Sequence, residues 1–225
     1  MRYLSLFEAG TNEFSIRIKA AKGADTPKKV TEAIAKMENS KFTLSKQDFV
    51  GPIIGDEIKQ AGLSAIAFAL LGILAYISLR FEFRFALGAI AALTHDVIIT
   101  TGVFVFSGKE LSAAVLAAVL TIVGYSLNDT IVVFDRVREN INKSLKKGKK
   151  KIELIPLINT SIGQTLSRTL LTSLTTLFVV LTLWLTGGAA LVDLAFTLVI
   201  GVIVGTYSSI FIACPTVIAL EKKEN

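Results

Sequence analysis

Cysteine and histidine are nearly absent from this 225-residue chain, which has one of each, Cys214 and His95. A single cysteine excludes an intrachain disulfide and a cysteine metal cluster. Lying in the last apolar run, Cys214 reads as a small buried hydrophobe. No His, Cys, Asp or Glu spacing suits a metal site, and there is no phosphate-binding glycine loop and no nucleophile–base pair. No metal, cofactor or enzyme chemistry is therefore expected. The other scarcity is charge, and it is local. Residues 1–60 hold 10 of the 24 basic and 8 of the 18 acidic residues. From Ala61 onward come five apolar runs, each long enough to cross a bilayer. A hydrophobic fraction of 52% is close to that of a soluble domain, so the distribution decides the class: a polytopic membrane protein with one small soluble domain. The net charge of +6 invites a nucleic-acid reading, but eight basic residues fall between Arg136 and Lys151. Membrane topology accounts for such a loop, and no nucleic-acid partner is expected. Contact with anionic lipid is a secondary role for it.

In the first 60 residues, Glu13 to Ala20 alternate Phe14, Ile16 and Ile18 with polar neighbours, the period of a half-buried strand. Thr26 and Pro27 mark a helix start, with Val30, Ile34 and Met37 as its apolar stripe. Phe42, Leu44 and Phe49 suggest a second strand, ending at VGPIIG (Val50–Gly55). Strand, helix and strand make half of a small α/β sandwich, too small to close a core comfortably alone. The spans are read at 62–79, 85–106, 111–134, 161–186 and 191–220. Arg80 and Arg84 flank the first loop, the third is the basic loop 136–160, and residues 221–225 form a tail with Lys222 and Lys223. The second loop balances Lys109 with Glu110, and the fourth has no basic residue. The positive-inside rule then places loops one and three and the C-terminus in the cytoplasm, and the 1–60 domain outside. A charged domain of this size must be exported, yet no signal or anchor is read in Met1–Gly10. One more upstream span is therefore expected.

Charge inside the spans is the functional signal, because an ionisable group at membrane depth costs several kcal/mol unless it faces a partner or water. Val123 to Asn140 reads VGYSLNDTIVVFDRVREN. Asp129 lies within its apolar half, with Asn128 beside it and Tyr125 one turn back. On the fourth span, Ser161, Thr165, Arg168, Thr172 and Thr175 are spaced four, three, four and three, which makes one helical stripe, bordered by Gln164. At about 1.5 Å per residue, Asp129 and Arg168 each lie roughly 10 Å from the cytoplasmic edge, on antiparallel helices, so the two charges are expected to meet and offset each other's desolvation. Such a pair either fixes helix packing or couples proton binding at Asp129 to movement. His95 and Asp96 sit adjacent in the second span, Asp96 near the bilayer centre. Pointing about 100° apart, they form no bidentate site; His95 is either a packing residue or a proton relay with Asp96. Asp193, near the outer edge of its span, is expected to be solvated. Gly201 and Gly205 form a GxxxG, a close-packing signal.

Four stretches together carry a family resemblance: VGPIIGDE (Val50–Glu57), ALTHD (Ala92–Asp96), VGYSLNDTIVVFDRVREN, and QTLSRTLLTSLTT (Gln164–Thr176). From about Val50 to Ala219 the chain resembles the SecD/SecF family of protein-export membrane proteins, in the resistance–nodulation–division (RND) superfamily. The resemblance implies an RND-like all-α membrane bundle, preceded by the C-terminal part of a ferredoxin-like periplasmic α/β domain, in a bacterial inner membrane. Five spans would be the second to sixth of six. No first span and no DFTGG-like segment is present. The resemblance further implies that Asp129 is the intramembrane carboxylate and Arg168 its basic partner in proton conduction. The subunit would act with SecD, using the proton-motive force to complete preprotein movement through the SecYEG channel. YajC, YidC, the translocating preprotein and membrane lipid are the further candidate partners.

Two other functions compete. A proton-driven small-molecule exporter of the same superfamily is expected to carry larger periplasmic domains than 60 residues provide. An intramembrane aspartyl hydrolase needs two carboxylates sharing a proton, and Asp96 and Asp129 differ in depth by roughly 8 Å at the helical rise.

Overall fold

The computed structural model describes residues 4–10, 13–18, 32, 52–109, 111–147 and 153–224. The chain divides into two compact units, Met1–Glu57 and Ile58–Asn225. In the first, β1 (Leu4–Gly10) pairs antiparallel with β2 (Glu13–Ile18), Leu4 opposite Ile18, with an irregularity between Glu8 and Gly10. The strand expected from Glu13 is present, and its partner is the segment before it, which the alternation argument had not read as a strand. The helix expected from Thr26–Pro27 and the strand through Phe42, Leu44 and Phe49 lie outside the described residues.

Helices follow: α1 (Pro52–Arg80), α2 (Phe83–Phe106), α3 (Ala113–Lys146), α4 (Leu154–Thr186), α5 (Gly188–Ser208), a π-helical turn (Ser209–Ala213) and α6 (Cys214–Glu224). Five stretches are long and apolar enough to cross a membrane: Asp56–Arg80, α2, α3, α4, and Leu191–Glu221, which runs through α5, the π turn and α6. The helices outrun the hydropathy boundaries. From Pro52 on, VGPIIG is helix, and proline suits a first helical position because that N–H has no intrahelical acceptor. α3 continues 12 residues past Phe134, and α4 begins seven residues before Ser161. The expected loop 136–160 is therefore mostly helix, with 147–153 as the connection. A run of charges marks where a helix leaves hydrocarbon, while its backbone bonds are indifferent to that boundary. Beyond it, Arg136–Glu139 and Glu139–Lys143 ion pairs at three- and four-residue spacing line the helix surface, as exposed helical pairs do.

Two local signals set the turns. Ser112 caps α3 by accepting a hydrogen bond from the Val115 amide at 3.3 Å. Between α4 and α5 the chain turns through Gly188 at φ +65°, a conformation that disfavours a Cβ. The core centres on Phe85 and Phe134, edge to face at 5.0 Å between centroids, with Val133, Val137, Ile158, Val217 and the buried thiol of Cys214 around them. On α2, Ala86, Ala89 and Ala92 present only methyl groups to this core, so neighbouring helices approach closely. The GxxxG does the same on α5: a Cβ on Gly201 would overlap the Ile122 side chain, and one on Gly205 would lie 2.9 Å from Ser126 Cβ. α1 is the outlier. It is apolar, yet only 11% of its spanning window is buried within the chain, against 44% for α3.

Candidate proton-coupling site

α3 and α4 run antiparallel, and three contacts fix their register. Asn140 Nδ2 donates to Ser161 Oγ at 2.8 Å and to Gln164 Oε1 at 2.9 Å, and Arg136 Nε donates to Gln164 Oε1 at 2.7 Å. Two turns further into the bundle, Ser173 Oγ donates to Asp129 Oδ2 at 3.3 Å. Gln164, read as bordering the polar stripe of the fourth span, belongs to a clasp at the charged end of α3, where Arg80 and Asp135 also meet at 3.7 Å.

This register separates Asp129 from Arg168. The residue level with Asp129 is Ser173, and Arg168 lies five residues nearer the clasp, about 7.5 Å along the axis. No hydrogen bond or ion pair joins Asp129 to Arg168, although the arginine is near enough for its charge to act on the carboxylate. Asp129 is buried, whereas Arg168 is exposed. The guanidinium lines an open groove of about 280 Å³ with Tyr76, Arg80, Phe81, Ile131, Val132 and Asp135. The depth estimate took Arg136 and Ser161 as level; in the structure Arg136 is level with Gln164, three residues further along α4, which leaves Arg168 nearer the charged end than Asp129.

The buried polar stripe of α4 is Ser161, Thr165, Thr169 and Ser173, not the stripe through Arg168, Thr172 and Thr175. A strict four-residue spacing follows the ridge that helices use when they cross at an angle; the alternating spacing stays on one side and here faces outward. Thr165 returns its hydroxyl to Ser161 O at 3.1 Å, and Thr172 to Thr169 O at 2.9 Å. Thr206 of α5 extends the Asp129 contact by donating to Ser173 Oγ at 2.8 Å. Asn128 is exposed, and the Tyr125 and Thr169 hydroxyls are buried without a hydrogen-bond partner. Ser173 and Thr206 were not singled out in the sequence; the four-residue serine and threonine spacing was the available signal for Ser173.

His95 and Asp96 lie on α2. Their side chains meet despite adjacent positions, His95 Nδ1 standing 3.0 Å from Asp96 Oδ1. Asp96 Oδ2 accepts from Ser126 Oγ at 2.5 Å and from Ser208 Oγ at 2.7 Å. Asp129 is only three residues from Ser126, about 4.5 Å along α3, so the two carboxylates are closer in depth than hydropathy suggested, but no hydrogen bond joins them. Asp193 is not simply solvated: Lys109 Nζ lies 2.6 Å from its Oδ1. Within the bundle, then, a carboxylate with one long hydroxyl contact lies within range of an exposed cation, and a second carboxylate is held by three groups. The first arrangement suits proton binding, because a proton relieves the cost of burying a poorly satisfied charge.

Comparison with known proteins identifies the context. The family model described as protein export membrane protein SecD/SecF, C-terminal, matches residues 29–223. Protein translocase subunit SecF of Desulfurispirillum indicum is 50% identical over 184 residues, covering 82% of this chain and 58% of that protein. The subunit of the same name from Calditerrivibrio nitroreducens is 46% identical over 208 residues, covering 90% and 67%. That of Vibrio alginolyticus is 55% identical over 166 residues, covering 74% and 51%. The chain thus spans between about half and two thirds of the length of these relatives. The crystal structure of SecDF, a translocon-associated membrane protein from Thermus thermophilus, matches with a TM-score of 0.77 at 36% identity, over 98% of this chain and 29% of that one. The five spanning helices and these matches make this a multi-pass membrane protein, and the chain belongs to the SecD/SecF family of protein export membrane proteins.

Proposed function

We propose that the chain works with SecD as a proton-driven accessory unit of protein export, drawing preproteins through the SecYEG channel, with YajC and YidC as further partners. In this reading the 1–60 domain faces the periplasm, and the α3–α4 clasp and the C-terminus face the cytoplasm, as the distribution of basic loops supports. The observation that carries the reading is Asp129: buried at membrane depth, with a single hydroxyl contact among the described residues, at 3.3 Å from Ser173, and with Arg168 five residues nearer the clasp on the facing helix. A proton on Asp129 removes its charge and its attraction to Arg168, so helix α4 is freer to shift against α3. One charge moved through 100 mV supplies about 2.3 kcal/mol, enough to change the ratio of two packed states nearly fiftyfold. Arg168, exposed one turn inward of Gln164 together with Thr172 and Thr175, supports a second subunit on this face, since a guanidinium at bilayer depth requires protein or water against it.

The test is preprotein maturation in cells lacking SecF, complemented with a length of this chain that supports export when wild type, carrying Asp129→Asn or Asp129→Glu. At matched protein level and with the complex intact, Asn abolishes maturation and Glu retains part of it. Normal maturation with Asn refutes proton coupling at Asp129 and leaves it a packing residue.

A further inference from the structure

Asp96 is a second carboxylate at membrane depth, fully buried, and it has no part in the proposed Asp129 coupling. Its two oxygens are used differently. Oδ2 receives the hydroxyls of Ser126 on α3 and Ser208 at the end of α5. Each hydroxyl has one hydrogen to give, so with both directed at Oδ2 that oxygen is occupied as an acceptor, and Oδ1 is the one that faces the imidazole. Any proton the pair holds beyond these lies between Asp96 Oδ1 and His95 Nδ1, or on His95 Nε2. The His95 side chain remains 25% exposed while that of Asp96 is 0% exposed, so the imidazole is the part of the pair open to the outside of the bundle. It lies beside Tyr207, 5.7 Å between ring centroids.

Ser208 also has somewhere else to turn. Its hydroxyl lies 3.2 Å from Gly205 O, within its own helix. Immediately after it the backbone widens into the π turn Ser209–Ala213, a distortion that is frequent at functional sites. Two residues before it stands Thr206, whose hydroxyl contacts Ser173 and through it Asp129. The end of α5 is therefore tied to both carboxylates at once.

We propose that His95 and Asp96 form a second proton-binding site, and that its occupancy holds or frees the end of α5 through Ser208. A proton adds at His95 Nε2, and the Nδ1 proton passes to Asp96 Oδ1. The products are a neutral imidazole and a neutral carboxyl group, with one proton gained and no other covalent change. The uncharged carboxyl is the weaker acceptor, so Ser208 rotates to Gly205 O and α5 loses its tie to α2. Loss of the proton reverses the sequence. The titratable groups around the pair are Tyr125 and Asp129, on either side of Ser126 on α3, and Tyr207 on α5; among the described residues no lysine or arginine pairs with Asp96. The link to export rests on the Asp129 reading, whereas proton binding by this pair does not.

The measurement is pH-difference infrared spectroscopy of the full SecD-containing complex in lipid nanodiscs, in an Asp129→Asn background that silences the first site. A carboxylic-acid carbonyl band grows as pH falls, is lost when Asp96→Asn is added, and with His95→Gln appears at a pH shifted by about one unit or more, a tenfold change in proton affinity. His95→Gln is partly exposed and tests the site should Asp96→Asn fail to fold. An unchanged band in both variants overturns the proposal. If Asp129→Asn leaves export intact while the band behaves as described, the coupling reading of Asp129 fails and this site stands.

Discussion

Asp96 and Asp129 lie within about a helical turn of each other in depth and are both buried, yet their surroundings are opposites. Asp96 has three polar partners within 3.0 Å, drawn from α2, α3 and α5. Asp129 has one hydroxyl at 3.3 Å and a cation that acts on it without touching it. Burial alone does not separate them. The number of donors does: a carboxylate whose oxygens are filled ties helices together, while one left short of donors is the easier to neutralise.

The largest expected effect comes from removing each carboxylate in turn. Asp96→Leu takes the acceptor from two buried hydroxyls and the imidazole, and the complex in detergent should lose about 2–3 kcal/mol of stability, read as a lowered Tm. Asp129→Leu removes a charge with one contact and should cost less than about 1 kcal/mol. Equal losses would break the comparison. Next is Gly205→Ala, whose new methyl would meet Ser126 at the Asp96 end of the α3–α5 contact; overpacking there should cost about 1–3 kcal/mol. Gly124→Ala on α3 has open space around it and should be neutral or slightly stabilising in the same melt. Ser173→Ala should lower stability by only about 0.6 kcal/mol but alter the pH dependence of preprotein maturation. An unaltered pH dependence would remove Ser173 from the Asp129 site.

The spans were legible in the sequence because a bilayer imposes a length and a composition on each of them. Their ends were not, since nothing in hydropathy says that α3 persists to Lys146 or that α4 starts at Leu154. With both ends misplaced the register was misjudged: Arg136 lies level with Gln164 instead of Ser161, and Arg168 falls out of line with Asp129. Asp129 itself was found from its cost at membrane depth, which needs no partner to be known. Ser173 and Thr206 were missed because serine and threonine are cheap in a membrane helix, where they return their hydroxyls to the preceding turn, as Thr165 and Thr172 do. The contact between His95 and Asp96 was left as one of two alternatives, because backbone directions about 100° apart say nothing of the reach of the side chains. β1 was missed because its partner strand was sought downstream.

Proton movement through Asp129 is measured most directly as proton uptake by proteoliposomes holding the SecD-containing complex under an imposed proton-motive force. Wild type should take up protons faster than empty vesicles, Asp129→Glu should retain part of the flux, and Asp129→Asn should fall to the empty-vesicle rate. An Asp129→Asn flux equal to wild type would contradict the account and make the carboxylate a packing group.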